Sequence, residues 1–333
     1  MSADAMPRRG KGRPTAAGEA VYAAQVEAFA DRIQKIRSRL DFEVSSRGWC
    51  YILESEIGLS KGDFDAAQDL INDCRKSGAL PLDICAVDDA RTFDHVEFID
   101  SEGLQGYVEW VREQMRRHID SYTPVSFWDD KPVYIQMLVE KIDLKSLFAG
   151  LCRTYRIPTA NAKGWSDLNQ RADMMRRFAA HEKAGRECIL LYCGDHDPAG
   201  LRISDALRDN MREMSPAVGW SPDRVTIDRF GLNADFIEAH RLTWIDNLKT
   251  GSGKDLASPK HKDHHLAYVQ DYLKLFGARK VEANALVVNP KAGRALCEAS
   301  ILKYLDRDAP DRYAEQLVPH RAEARAMAFG GAA

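Results

Sequence analysis

The stretch CILLYCGDHDPAGLRISDAL, residues 188–207, decides the fold. Its first six residues form a continuous apolar run, the pattern of a strand buried on both faces of a parallel sheet. Gly194 then opens a turn, and a helical pattern follows from about 199 to 213. Asp195 and Asp197 therefore fall at the carboxyl end of a parallel strand, where open α/β sheets place their sites. In an extended segment residues i and i+2 point the same way, so both carboxylates are expected to face one spot. His196 is expected to point away and to be structural. A second apolar run, VYIQMLV (133–139), also ends in a carboxylate, Glu140. If the two strands are neighbours, three carboxylates converge, and their repulsion calls for a hard divalent cation, Mg²⁺ or Mn²⁺. The competing reading is that Asp195 and Asp197 only cap the next helix, with Pro198 in its first turn.

Working outward, helical patterns at 143–155 and 166–184 alternate with short strand patterns at IPTA (157–160) and VTIDRF (225–230). Such alternation predicts βαβ units and a Rossmann-like, mostly parallel sheet, hence an α/β protein. The N-terminal part reads differently. A helix is expected over Gly18–Leu40, a second capped by Ser45-Ser46 and running to about Ile57, and a third capped by Ser60 and stopped at Gly78. ALPLDICAV (79–87) reads as a short strand. Three helices and a strand suggest a winged-helix-like α+β domain, with a further helix at 103–119. SYTPVSFWDDKP (121–132) reads as a linker. The expected division is a disordered basic arm at 1–17, a winged-helix-like domain at 18–125, an α/β domain at 130–310 and a C-terminal tail at 311–333.

The 333 residues carry 47 Lys+Arg and 50 Asp+Glu, a net charge of −3 that hides an uneven distribution. Residues 1–40 hold 8 basic and 4 acidic side chains, 41–130 hold 8 and 20, and 131–333 hold 31 and 26. No apolar run reaches the roughly 18 residues of a membrane helix. The basic N-terminus has no apolar stretch behind it, so no secretory signal is read. Seven scattered cysteines without a CxxC pair point to a reducing, cytoplasmic setting rather than zinc or disulfides. TGSGKD (250–255) lacks the first glycine of a phosphate-binding loop and is not read as a nucleotide site. HKDHH (261–265) reads as a solvated segment, with phosphate contact by its lysines as the other possibility.

At these residues the sequence resembles the Toprim domain of the topoisomerase VI A subunit and Spo11 family, and most of all its short relatives on phages and mobile elements. The likeness is carried by Glu140-Lys141, Gly194-Asp195-His196-Asp197-Pro198-Ala199-Gly200, Gly164-Trp165-Ser166, Asp228-Arg229-Phe230-Gly231-Leu232 and Val281-Glu282-Ala283-Asn284-Ala285-Leu286. It covers roughly residues 40–305. It implies an N-terminal winged-helix-like domain followed by a Toprim domain, with Mg²⁺ held by Glu140, Asp195 and Asp197. Family members also carry an Arg-x-x-Tyr-Tyr type motif. Here Ser46-Arg47-Gly48-Trp49-Cys50-Tyr51 matches it, so the resemblance makes Tyr51 the nucleophile and Arg47 its phosphate-holding partner. The pair is four residues apart and shares a helix face. Cys50 and Gly48 depart from that motif, and Asn284 stands where an acidic residue is usual.

The implied reaction is Mg²⁺-dependent transesterification: Tyr51 attacks double-stranded DNA, forms a 5′-phosphotyrosyl link and releases a 3′-hydroxyl. The resemblance also implies a homodimer in which each tyrosine meets its partner's metal site, a separate ATPase B-type subunit and a nucleoid-associated location. Candidate DNA contacts are Lys141, Arg153, Arg156, Lys163, Arg171, Arg176 and Arg177, since residues 153–186 hold 8 basic against 3 acidic side chains. A solvated helix face is the plainer account of that run. Arg8, Arg9, Lys11 and Arg13 of the arm would add nonspecific attraction. Two other functions stay open: a Toprim nuclease that uses water, and a noncatalytic DNA-binding protein of a mobile element.

Overall fold

In a computed structural model of the chain, β1 (Val133–Val139), β2 (Thr159–Asn161), β3 (Glu187–Cys193) and β4 (Thr226–Gly231) form one parallel sheet in the order β2-β1-β3-β4. The structure describes residues 6–10, 13, 15–86, 103–162, 167–249 and 254–329. β1 is buried at all seven positions and β3 at six, as their unbroken apolar runs predict. Val139 pairs with Cys193, so the carboxyl ends of the two central strands are level. Glu140 N–H then donates to Cys193 O (2.9 Å), and Gly194 N–H to Gly231 O (2.9 Å), which extends the ladder to the point where the acidic residues begin.

Helices cross between the strands. α5 (Ile142–Thr154) links β1 to β2, and α6 (Leu168–Lys183) links β2 to β3. After β3, the helix expected over 199–213 is broken at Arg202 into α7 (Pro198–Leu201) and α8 (Ile203–Glu213). Short α9 (Ser215–Val218) leads to β4, and α10 (Ala234–Ala239), α11 (Ala267–Phe276) and α12 (Pro290–Ile301) follow it. α13 (Ala309–Phe329) takes in most of the segment read as a tail.

The N-terminal part holds α1 (Ala16–Arg37), α2 (Ser46–Ile57), α3 (Phe64–Ser77) and α4 (Gly103–Asp120). Ser45 caps α2 as expected, its hydroxyl accepting from Gly48 N–H (3.1 Å). α2 buries six successive residues, Gly48–Leu53. It is therefore an interior helix, packed between α3 and the segment that precedes α12. The strand expected at ALPLDICAV does not form among its described residues, 79–86. Pro81 has no N–H to donate, Leu82–Ile84 turns as a 3₁₀ helix, and Ile84 O is taken by the Trp49 indole (2.8 Å). Val87 lies outside the described residues.

One continuous cluster of buried side chains runs from Phe29 through Trp49 and Ile135 to Leu317, so the N-terminal helices pack directly onto the α/β part. α13 returns to α4 and to the linker. Tyr313 Oη donates to Val125 O (2.9 Å), Arg321 Nε to Tyr122 O (3.1 Å) and Arg325 Nε to Asp120 Oδ1 (2.9 Å). Of the arm, Arg8 reaches Asp63 (2.6 Å) and Arg9 lies over the Tyr22 ring (4.9 Å), while Lys11 lies outside the described residues. These two arginines are engaged by the protein's own surface.

Candidate active site

Glu140 and Asp195 meet across the carboxyl ends of β1 and β3. Glu140 Oε2 accepts the Asp195 N–H (2.7 Å). Lys141 places its ammonium between the two carboxylates, 3.0 Å from Glu140 Oε1 and 2.8 Å from Asp195 Oδ2. Gly194 makes this approach feasible: a Cβ there would lie 2.6 Å from Glu140 Oε2 and 2.6 Å from the Tyr192 hydroxyl. The other Asp195 oxygen, Oδ1, accepts Ala283 N–H (2.8 Å). Burial and the neighbouring Glu140 push the Asp195 carboxyl up to about 7, against the opposing pull of Lys141. Burial raises Glu140 too, but Lys141 and the Asp195 N–H outweigh it and hold Glu140 below the usual carboxylate range. Burial likewise works against the charge on Lys141, and the two carboxylates overcome it.

Asp197 does something else. Its Oδ1 accepts Gly200 N–H (2.6 Å) and caps α7. Asp197 keeps an extended backbone (φ −145°, ψ 173°), and the charges of Glu140 and Lys141 both act on its carboxyl. Among the described residues no group of three or more His, Cys, Asp or Glu side chains is gathered for a metal ion. His196 is buried, as expected. Its Nδ1 faces Leu232 O (3.2 Å), and its ring lies among Trp244, Tyr272 and Phe276.

Two residues complete the centre. Arg229, from β4, ties its backbone together, donating to Gly200 O (2.8 Å), Asp195 O (3.2 Å) and Leu232 O (2.6 Å). Glu282 brings in α2: its Oε2 accepts from Tyr51 Oη (2.8 Å) and from Arg47 Nε (3.3 Å). The Tyr51 ring stands edge-on to Phe64 (5.1 Å), with the Lys61 ammonium 4.0 Å above it. Tyr51 is 1% exposed. Burial, then the charge and hydrogen bond of Glu282, raise its phenol well above the ordinary value. Burial raises Glu282, and Arg47 and the Tyr51 hydroxyl outweigh that to leave it below its ordinary value.

Tyr51 is thus joined to Asp195 through Glu282 and the neighbouring Ala283 N–H. Roles for Glu282 and Arg229 were not readable from sequence, although both lie in stretches that carry the resemblance. Their partners are set by tertiary approach and not by spacing.

Among the described basic residues of 153–186, several are engaged by the protein's own groups. α5 starts at the carboxyl end of β1, and beyond its far end Arg156 lies over the Tyr313 ring (5.7 Å). Arg171 is buried, Arg176 pairs with Asp173 (2.9 Å) and Arg177 holds Gln136 (2.8 Å). Lys163, with Gly164-Trp165-Ser166, lies outside the described residues. Lys141, at the acidic pair, is among the expected DNA contacts.

Fold and site together define an α/β protein with its acidic residues at the carboxyl edge of a parallel sheet. Comparison with protein-family models, curated proteins and solved structures finds no match. No helix among the described residues is long and apolar enough to cross a membrane.

Proposed function

We propose that this protein cleaves double-stranded DNA by divalent-metal-dependent transesterification, with Tyr51 as nucleophile. In this reading the chain is a winged-helix-like domain joined to a Toprim domain, as in the topoisomerase VI A-like family that its motifs resemble. One observation carries it. The dipeptide Glu282-Ala283 joins three distant parts of the chain: the Glu282 carboxylate takes the Tyr51 phenol, and the next N–H takes Asp195. A hydroxyl nucleophile hydrogen-bonded to a carboxylate, with a guanidinium beside it and an acidic pair next door, is a constellation for phosphoryl transfer.

The donor set suits a hard dication. Two carboxylate oxygens already converge on one cation, the Lys141 ammonium, which stands in for it. Glu140 and Asp195 would hold Mg²⁺ or Mn²⁺ once Lys141 swings aside, and Asp197 would join on release from Gly200. Such an ion supplies positive charge against the phosphate oxygens. Lys141, once displaced, and Arg47 are then the cations of this chain that meet the DNA backbone. A homodimer cutting both strands and a separate ATPase subunit belong to the same proposal.

The 1% exposure of Tyr51 favours a second reading, in which water attacks and the tyrosine only packs. One assay separates the two. Supercoiled plasmid is incubated with the protein and Mg²⁺ or Mn²⁺, and protein covalently attached to 5′ ends is measured. Attachment that disappears in Tyr51→Phe and in Asp195→Ala supports transesterification. Cleavage without attachment, surviving Tyr51→Phe, replaces it with hydrolysis.

A further inference from the structure

We infer that Glu282 is the proton acceptor for Tyr51, a catalytic residue of the proposed cleavage; the inference rests on the tyrosine reading above. Glu282 Oε2 is 2.8 Å from the phenolic oxygen, within the reach a general base needs. Other charged groups near the tyrosine are placed for other tasks. Lys61 lies over the ring face, and its ammonium is held by Glu54 (2.9 Å). Arg47 carries no basic lone pair and reaches the same Glu282 oxygen as the tyrosine. The Glu282 side chain keeps 17% of its surface exposed and Arg47 34%, so the pair that meets the tyrosine hydroxyl is not sealed from solvent.

The step balances within the chain. The Tyr51 O–H proton moves to Glu282 Oε2, and the phenolic oxygen forms a bond to phosphorus. The P–O3′ bond breaks, its electron pair leaves on O3′, and solvent water protonates that oxygen. Protonation of Oε2 also weakens the Arg47 contact, because the guanidinium loses the charge it was paired with. Base and phosphate holder are thereby linked: the event that activates the tyrosine releases Arg47 toward the phosphate.

The test uses the full chain, supercoiled plasmid and Mg²⁺. Glu282→Gln keeps an acceptor oxygen for Tyr51 and removes the base. The 5′-attached protein should fall by about 10²–10⁴-fold, with the variant still folded and still binding plasmid. Replacing Tyr51 in that variant by a difluorotyrosine, whose phenol ionises more readily, should restore attachment at least about 10-fold, as a lower pKa substitutes for the missing base. A purely structural Glu282 would show no such rescue. Wild-type attachment rates in Glu282→Gln, or no rescue in a folded and DNA-binding variant, overturn the inference. A wild-type chain that leaves no protein on 5′ ends removes the tyrosine reading itself, and the role of Glu282 goes with it.

Discussion

Asp143 Oδ1 stands 2.9 Å from the point where Gly48 would carry a Cβ. Asp143 is fully buried and accepts from the Ser45 N–H, from the Ser45 hydroxyl (2.6 Å) and from the Asn284 amide. This carboxylate therefore binds the N-cap of α2, the start of α5 and the Glu282 segment into one unit. It also accounts for the residues at positions 48 and 284. Gly48 makes room for Asp143. Asn284 supplies a donor where a second carboxylate would face Asp143 without a counter-charge.

Gly48→Ala should destabilise the protein. Alanine would improve helix propensity by up to about 1 kcal/mol. Its methyl, however, would also lie 2.7 Å from Val44 Cγ1, and both neighbours are buried and held. Overpacking of this kind costs about 1–3 kcal/mol, so a net loss is expected in the urea midpoint. A gain would show that Asp143 yields easily.

Asn284→Asp should cost on the order of 3 kcal/mol at neutral pH, because it leaves two buried carboxylates facing each other. Adding Asp143→Asn lets amide and carboxylate trade places. The double variant should recover about 1–3 kcal/mol beyond additivity in a double-mutant cycle. Additive losses would mean that the two side chains do not interact.

The apolar runs of β1 and β3, the Ser45 cap and the acidic residues after each strand were legible because each is written in consecutive residues. What stayed illegible depends on approach between distant parts. Arg156 and Arg177 read as neighbours of the site by charge, yet Arg156 lies over the Tyr313 ring (5.7 Å) and Arg177 holds Gln136 (2.8 Å). Glu282 lies in a stretch that carries the resemblance, but its role depends on Tyr51 of α2, more than two hundred residues earlier.

Lys141→Met should strengthen the response to divalent ions. In the wild type an incoming Mg²⁺ competes with an ammonium already placed between Glu140 and Asp195. Removing that ammonium leaves two carboxylates without their cation. The metal-free variant should therefore unfold at lower temperature than the wild type. At equal millimolar Mg²⁺ it should gain more, by about 1.4 kcal/mol for each tenfold tighter binding. Thermal unfolding with and without Mg²⁺ reads this directly. Equal shifts in both proteins would remove Glu140 and Asp195 as ligands.

Arg47→Ala should make stability fall with rising pH in a range where the wild type does not. In the wild type Arg47 and the Tyr51 hydroxyl hold the Glu282 carboxyl below its ordinary value, against its burial. A depressed carboxyl contributes stability that is present above the unfolded pKa and is lost only as pH falls through the folded value. Without Arg47, burial dominates and the folded pKa rises above the unfolded one. The sign then reverses: the contribution is intact below the unfolded value of about 4.3 and is lost as pH climbs through the raised one. The gap between variant and wild type should be small near about pH 4.5 and grow by about 1 kcal/mol near about pH 7.5, a modest figure because Arg47 is 34% exposed. Urea midpoints of both proteins at the two pH values measure it, and a gap that does not change with pH would show that Arg47 acts through packing on Phe64 (4.9 Å) rather than through the charge of Glu282.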